Sequence, residues 1–116
     1  MNILDRYFVL SDLAGKDKGK LTELCHLFSE NAIIEANDGK TYSGREEINP
    51  FFEKFFNKNS ESKHLWDIEE MADGLQRANW AVVCRRKTGA YLALTGSDLA
   101  RIKGDKIIYL KVRSDS

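Results

Sequence analysis

The chain is short of the residues that usually announce a specialised architecture: among 116 residues there are one proline, two cysteines and two histidines. Too few cysteines exclude a disulfide framework. Cys25 and Cys84 each lie in an apolar run with no metal-ligand partner at useful spacing, which predicts buried, reduced thiols. No stretch approaches the roughly 18 apolar residues of a spanning helix, and mean hydropathy is −0.45. Asp5 and Arg6 interrupt the only segment placed to act as a signal peptide, and it has no basic leader or small-residue cleavage site. The expectation is a soluble, cytoplasmic chain with no membrane partner. Eighteen basic and eighteen acidic residues cancel, so the one-sided basic excess of a nucleic-acid binder is missing. The best local candidate, CRRK at 84–87, is three cations closing a strand-like run, and no nucleic-acid partner is expected. Glycine-rich phosphate loops, serine-histidine-acid sets and metal-binding histidine patterns are also missing. No metal and no cofactor is expected, and the length suits one domain over 1–116.

What is present is periodic. Ile3, Leu4, Tyr7, Phe8 and Ser11 recur at helical spacing, with Leu10 and Leu13 widening the stripe. A polar connection, AGKDKGK at 14–20, precedes a shorter helix with Leu21, Leu24, Cys25, Leu27 and Phe28 on its apolar side. NAIIEAN predicts a short strand closed by the turn NDGK. In YSGREEI, Ser43 and Glu46 have the spacing of a capping box. The stretch NPFFEKFF, 49–56, then continues an amphipathic helix through Ile48, Phe51, Phe52, Phe55 and Phe56. Pro50 lacks the donor for the Glu46 carbonyl, which predicts a kink or a restart capped by Asn49.

The second half alternates with the period of a strand. His64, Trp66 and Ile68 share one parity, as do Ala78, Trp80, Val82 and Cys84, and in the next segment Leu94, Asp98, Ala100 and Ile102. Gly96 interrupts that segment and predicts a bulge or bend. ADG, KTG and KGD join four segments as hairpins. The fold class is therefore α+β, with helices on one face of a mainly antiparallel sheet.

Four stretches in this order resemble the nuclear transport factor 2-like superfamily, which includes ketosteroid isomerases and SnoaL-like polyketide cyclases. They are RYF on the first helix, LTELCHLFSENAIIE, GKTYSGREEINPFFEKFF and TGSDLARIKGDKIIYLKV, together spanning about residues 6–112. The resemblance implies a cone-shaped, curved sheet with three N-terminal helices packed on its concave face and an apolar pocket inside. It does not imply one activity, because the fold hosts many. Phe28, Ala36, Phe52, Phe55, Phe56, Trp66, Trp80 and Leu94 are the expected ligand-binding positions. Each phenylalanine has pure core packing as its alternative, and Trp80 a dimer interface.

The family's isomerases pair a tyrosine and a protonated aspartic acid as oxyanion donors. Tyr7 and Asp98 fall at those positions, and the resemblance implies that they form a hydrogen-bonded pair facing the pocket. The family's base position holds Ala36; Glu35 beside it has the opposite parity, and Asn37 and Asp38 belong to the turn. His64 shares parity with Trp66, and is either a third catalytic group within reach of Asp98 or Tyr7 or a partly exposed residue after the loop. Two classes remain open. One is a binding domain for a small hydrophobic or aromatic molecule; the other is a cofactor-free isomerase, cyclase or dehydratase using Tyr7, Asp98 and His64. Tyr109, Val83 and Tyr91 leave apolar surface on the opposite sheet face, which predicts a homodimer.

Overall fold

A computed structural model describes residues 1–115. Helices α1 (Ile3–Ala14) and α2 (Lys18–Cys25) lead into β1 (Phe28–Glu35) and β2 (Thr41–Ser43), followed by α3 (Gly44–Phe56). Four long strands then run in sequence: β3 (Asn59–Glu70), β4 (Leu75–Arg86), β5 (Tyr91–Lys103) and β6 (Lys106–Ser114). The sheet order is β2-β1-β6-β5-β4-β3. All neighbours are antiparallel except β1 and β6. Gly74, Gly89 and Gly104, each with φ positive, sit in the three predicted hairpin connections. No helix among the described residues is long and apolar enough to cross a membrane.

Strand parity emerges as the alternation requires. Ala78, Val82 and Cys84 are buried on β4, and Asp98 and Ala100 on β5, whereas Leu65, Val83 and Tyr91 face outward. Both cysteines are free and buried. The helices fill the inner face: α1 rests on β3 at one margin of the sheet and α3 on β1 near the other. Tyr7 of α1 meets Phe52 of α3 at a ring separation of 6.3 Å, so the sheet curls around the pair. Two carboxylates fasten α1 to the edge strand β3. Asp5 accepts from Trp66 Nε1 at 2.8 Å, and Asp12 accepts from the His64 amide at 3.0 Å while its other oxygen lies 2.6 Å from His64 Nδ1. This satisfies an amide on the open edge of the sheet.

Helix α2 starts inside the stretch read as a connection, because the Asp17 side chain accepts from the amides of Gly19 and Lys20 and so caps it. Phe28 opens β1 rather than ending the helix. A short strand, β2, follows the NDGK turn and pairs with Ile33–Glu35. The Ser43–Glu46 capping box does not form. Gly44, at φ +74°, turns the chain between β2 and α3, and Glu47, one residue later, takes the Ser43 amide at 2.7 Å. Helix α3 runs through Pro50 without a restart at Asn49. Pro50 is on the exposed side, where solvent can serve the Glu46 carbonyl that lost its donor.

Gly96 is not a bulge. It pairs in register with Trp80 on one side and Ser114 on the other, and the register shift of that ladder lies at Arg101/Ile102. Its lack of a side chain makes room instead: a Cβ there would lie 2.5 Å from Trp80 Cζ2 and would also collide with the Arg113 carbonyl. Neither neighbour is the free end of a flexible chain. Gly96→Ala is therefore expected to lower unfolding stability by about 3 kcal/mol, read as a shift in the urea midpoint with the slope unchanged.

Candidate functional site

Helix α3 divides its aromatic residues between two rows. Ile48, Phe52 and Phe56, spaced by four, are at most 6% exposed and pack into the core. Phe51 and Phe55 lie one position around the helix; Phe55 is 50% exposed and Phe51 is half-buried. Facing this second row is a cavity of about 400 Å³ between α3, Tyr7 of α1, and strands β1 and β6. Ile34, Leu110, Val112 and Phe52 give it an apolar interior, and Ala36 with the β1–β2 turn forms one lip. Tyr42 extends the aromatic wall, its ring 4.4 Å from that of Phe51.

Tyr7 is 8% exposed and lines this cavity. Among the described residues its hydroxyl has no hydrogen-bond partner, yet it is not one of the fully enclosed unsatisfied atoms. It therefore opens on the hollow. Burial, and secondarily the Asp98 charge, push its pKa well above the usual value, which keeps the proton on the oxygen as a donor.

The candidate residues fall into two neighbourhoods. Tyr7, Ala36, Phe52 and Phe55 share the cavity. Phe28 and Phe56 do not line it: Phe28 is fully enclosed, with its ring 5.4 Å from Phe52, and Phe56 stacks on Phe52 at 5.7 Å. Trp66 is taken up by Asp5 and by stacking on Phe8. His64, Trp80, Leu94 and Asp98 lie on the far strands, with His64 and Trp80 rings 6.3 Å apart. Asp98 does not pair with Tyr7. It accepts from Trp80 Nε1 at 3.0 Å, because Gly96 lets the indole lie flat against β5 and reach across to it. His64 is likewise not at Asp98 or Tyr7; Asp12 holds it on α1.

Sequence reasoning passed over Phe51, Tyr42, Lys40, Lys54 and Lys58 as cavity residues, and Asp12 as the partner of His64. The four-residue spacing of Phe51 and Phe55, repeated by Lys54 and Lys58, was the available signal. Among the described residues no three His, Cys, Asp or Glu side chains gather as metal ligands would. Burial pushes the Cys25 thiol up to about 11, so it is not a thiolate nucleophile. In CRRK, each cation has an internal partner: Arg85 with Glu61, Arg86 with Asn59 and Lys87 with Asn57.

The SnoaL-like domain family matches residues 13–110. An NTF2-like protein of unknown function from Exiguobacterium sp. 255-15 is 30% identical, with 99% of each chain covered and a TM-score of 0.85. A protein with a ketosteroid isomerase-like fold from Catenulispora acidiphila, solved with trimethylamine, is 16% identical. There the match covers 91% of this chain and 82% of that one, with a TM-score of 0.74. A provisionally assigned polyketide cyclase from Pseudomonas putida KT2440 is 18% identical, covering 97% and 90%, with a TM-score of 0.80. No curated protein matches the chain.

Asp98 is 2% exposed, and burial raises its pKa to about 7 from the usual 3.8, with the Trp80 hydrogen bond pulling weakly the other way. Between those values the folded chain holds a proton that the unfolded chain has released. Stability from this group is thus full below about pH 4 and is lost as pH rises to about 7, a difference on the order of 4 kcal/mol. Asp98→Asn keeps the acceptor for Trp80 and removes the titration. The variant should match the parent in urea midpoint near pH 4 and exceed it near pH 8; parallel midpoint-against-pH curves would contradict the assignment.

Proposed function

The chain belongs to the SnoaL-like domain family, and from that premise we propose that it binds a small apolar or aromatic molecule in the cavity between α1, α3, β1 and β6. The observation that carries this reading is the combination of an apolar interior with a buried donor that has no partner among the described residues, the Tyr7 hydroxyl. A hollow of about 400 Å³ is of the size that small-molecule sites occupy, roughly 300–1,000 Å³. Ala36 lines it where an isomerase of this fold would carry its base, and Asp38, which also lines it, is hydrogen-bonded within its own turn. Binding without turnover is the simpler role for such a site. That the Catenulispora relative was solved with a small amine supports the same class of role.

A second reading, cofactor-free acid/base catalysis, is favoured by one observation: Asp98, poised to exchange a proton near neutrality, lies close enough to Tyr7 for its charge to act on the phenol. Tyr7 would then be the group that touches substrate, with Asp98 positioned behind it.

The outer sheet face bears on assembly. Leu65, Val83 and Tyr91 are 79%, 53% and 74% exposed, and between them Ala81 and Ala93 leave a shallow trough. Covering this patch with a second copy would remove it from water, and the reading includes a homodimer. Light scattering should give twice the 13.3 kDa chain mass, and Val83→Glu should return the monomer.

Titration with naphthol, followed by fluorescence, tests the site. Ala36→Phe fills the lip of the cavity and is expected to weaken binding at least about tenfold with the unfolding midpoint little changed. Equal affinity for parent and variant would place the ligand elsewhere. Turnover of an enolisable ketone that disappears in Tyr7→Phe would favour the catalytic reading.

A further inference from the structure

The rim of the cavity carries charge that the fold does not use. Lys40 on the β1–β2 turn, Lys54 on α3 and Lys58 just past its end all line the mouth. Two of them flank Phe55, and Lys40 stands on the opposite lip. None of the three ammonium groups has a hydrogen-bond or ion-pair partner among the described residues. That sets them apart from the cations of the CRRK segment, each of which is engaged. The one carboxylate at the mouth, Asp38, is occupied by its own turn: it accepts from the Lys40 amide at 2.8 Å and from the Tyr42 hydroxyl at 3.5 Å. The mouth is therefore locally cationic in a chain whose formal charge is zero.

A second, independent feature sets the far end. The Tyr7 hydroxyl, in a residue more than nine-tenths buried, opens unpartnered on the interior. Between the two ends, Phe51, Phe55 and Tyr42 make an aromatic wall, with the Phe51 and Phe55 rings 6.0 Å apart and inclined by 30°. The site thus runs from cationic mouth to aromatic wall to buried donor.

Resting on the cavity reading above, we propose that the ligand is an amphipathic carboxylic acid with a flat apolar or aromatic body. Its carboxylate lies among Lys40, Lys54 and Lys58, its body against Phe51 and Phe55, and an acceptor at its far end takes the Tyr7 hydroxyl. Lysine suits this role as a compact charge on a flexible stem that can follow a carboxylate at a solvent-exposed mouth. Among the described residues that line the cavity these three lysines are the cations, so a carboxylate is best served at the rim.

Three probes sharing one body separate charge from shape: naphthoate, naphthamide and naphthylmethylammonium, titrated against the parent protein, Ala36→Phe, and the combined variant Lys40→Gln, Lys54→Gln, Lys58→Gln. Naphthoate is expected to bind about tenfold more tightly than naphthamide, and naphthylmethylammonium more weakly than either. The lysine variant should bring naphthoate to within about threefold of the amide while leaving the amide unchanged. Raising the salt to about half molar should weaken the acid alone. If all three probes bind alike and Ala36→Phe still abolishes them, the carboxylate assignment is overturned and the cavity reading stands. If no probe binds, or Ala36→Phe is silent, the cavity reading itself falls and this inference with it.

Discussion

Two carboxylates on one helix organise much of this molecule. Asp5 and Asp12 are seven residues apart, close to two helical turns, and so stand on one face of α1. Their partners, Trp66 and His64, are two apart on β3 and therefore share a strand face. The match between these periodicities fixes both the position and the rotation of α1. With Asp5 and Asp12 turned to the edge strand, Tyr7 is turned toward α3, β1 and β6, and Phe8 is wedged against Trp66 and His64. One of the same contacts, from the His64 amide to Asp12, also covers a donor that an open sheet edge would otherwise present to another chain. Both roles asked of α1, closing the cone and aiming a hydroxyl into it, thus come from one set of hydrogen bonds.

On the opposite side the constraint is packing. Helix α3 is apolar over a face wider than the core can accept, and the excess becomes the cavity wall. Phe52 belongs to both: it contacts Phe28 and Phe56 in the core and still reaches the cavity interior. Arg45 anchors the start of this helix, with two guanidinium nitrogens on the Phe28 carbonyl at 3.2 and 2.7 Å, so α3 keeps its angle to β1. Exchanging the two phenylalanine rows would take a rotation of α3 by about 100°, one residue's turn of the helix.

Trp80, Gly96 and Asp98 act as one unit. The absent side chain at 96 admits the indole, and the indole supplies the one hydrogen bond that a described residue makes to a carboxyl buried in an apolar face. Burial still dominates, which is why the acid holds its proton up to about neutrality. A charged-or-neutral group of this kind is a standing cost to the fold above that range. It lies near enough to Tyr7 for its charge to act on the phenol.

How much of this was legible in the sequence follows the range of the forces involved. Strand parity, the apolar rows of the helices and the three glycine hairpins are set by neighbours a few residues apart, and each was read from spacing alone. So was the inward orientation of Asp98, since it shares parity with Ala100. The order of helices and strands came from the same periodicities, and the resemblance singled out Tyr7, which lines the hollow. The Ser43–Glu46 cap and the restart at Asn49 failed even though both are local. A positive φ at Gly44 and the exposed placement of Pro50, respectively, decided them. The partners of Asp5, Asp12 and Asp98 were not legible, because those bonds join residues 61, 52 and 18 positions apart. Nor was it legible which phenylalanines line the hollow. That depends on how far the sheet curls and how α3 is rotated against it, quantities fixed only when all the elements pack together. The sequence by itself determined which side chains face inward; the tertiary structure decided which of those meet a neighbour and which are left facing empty space.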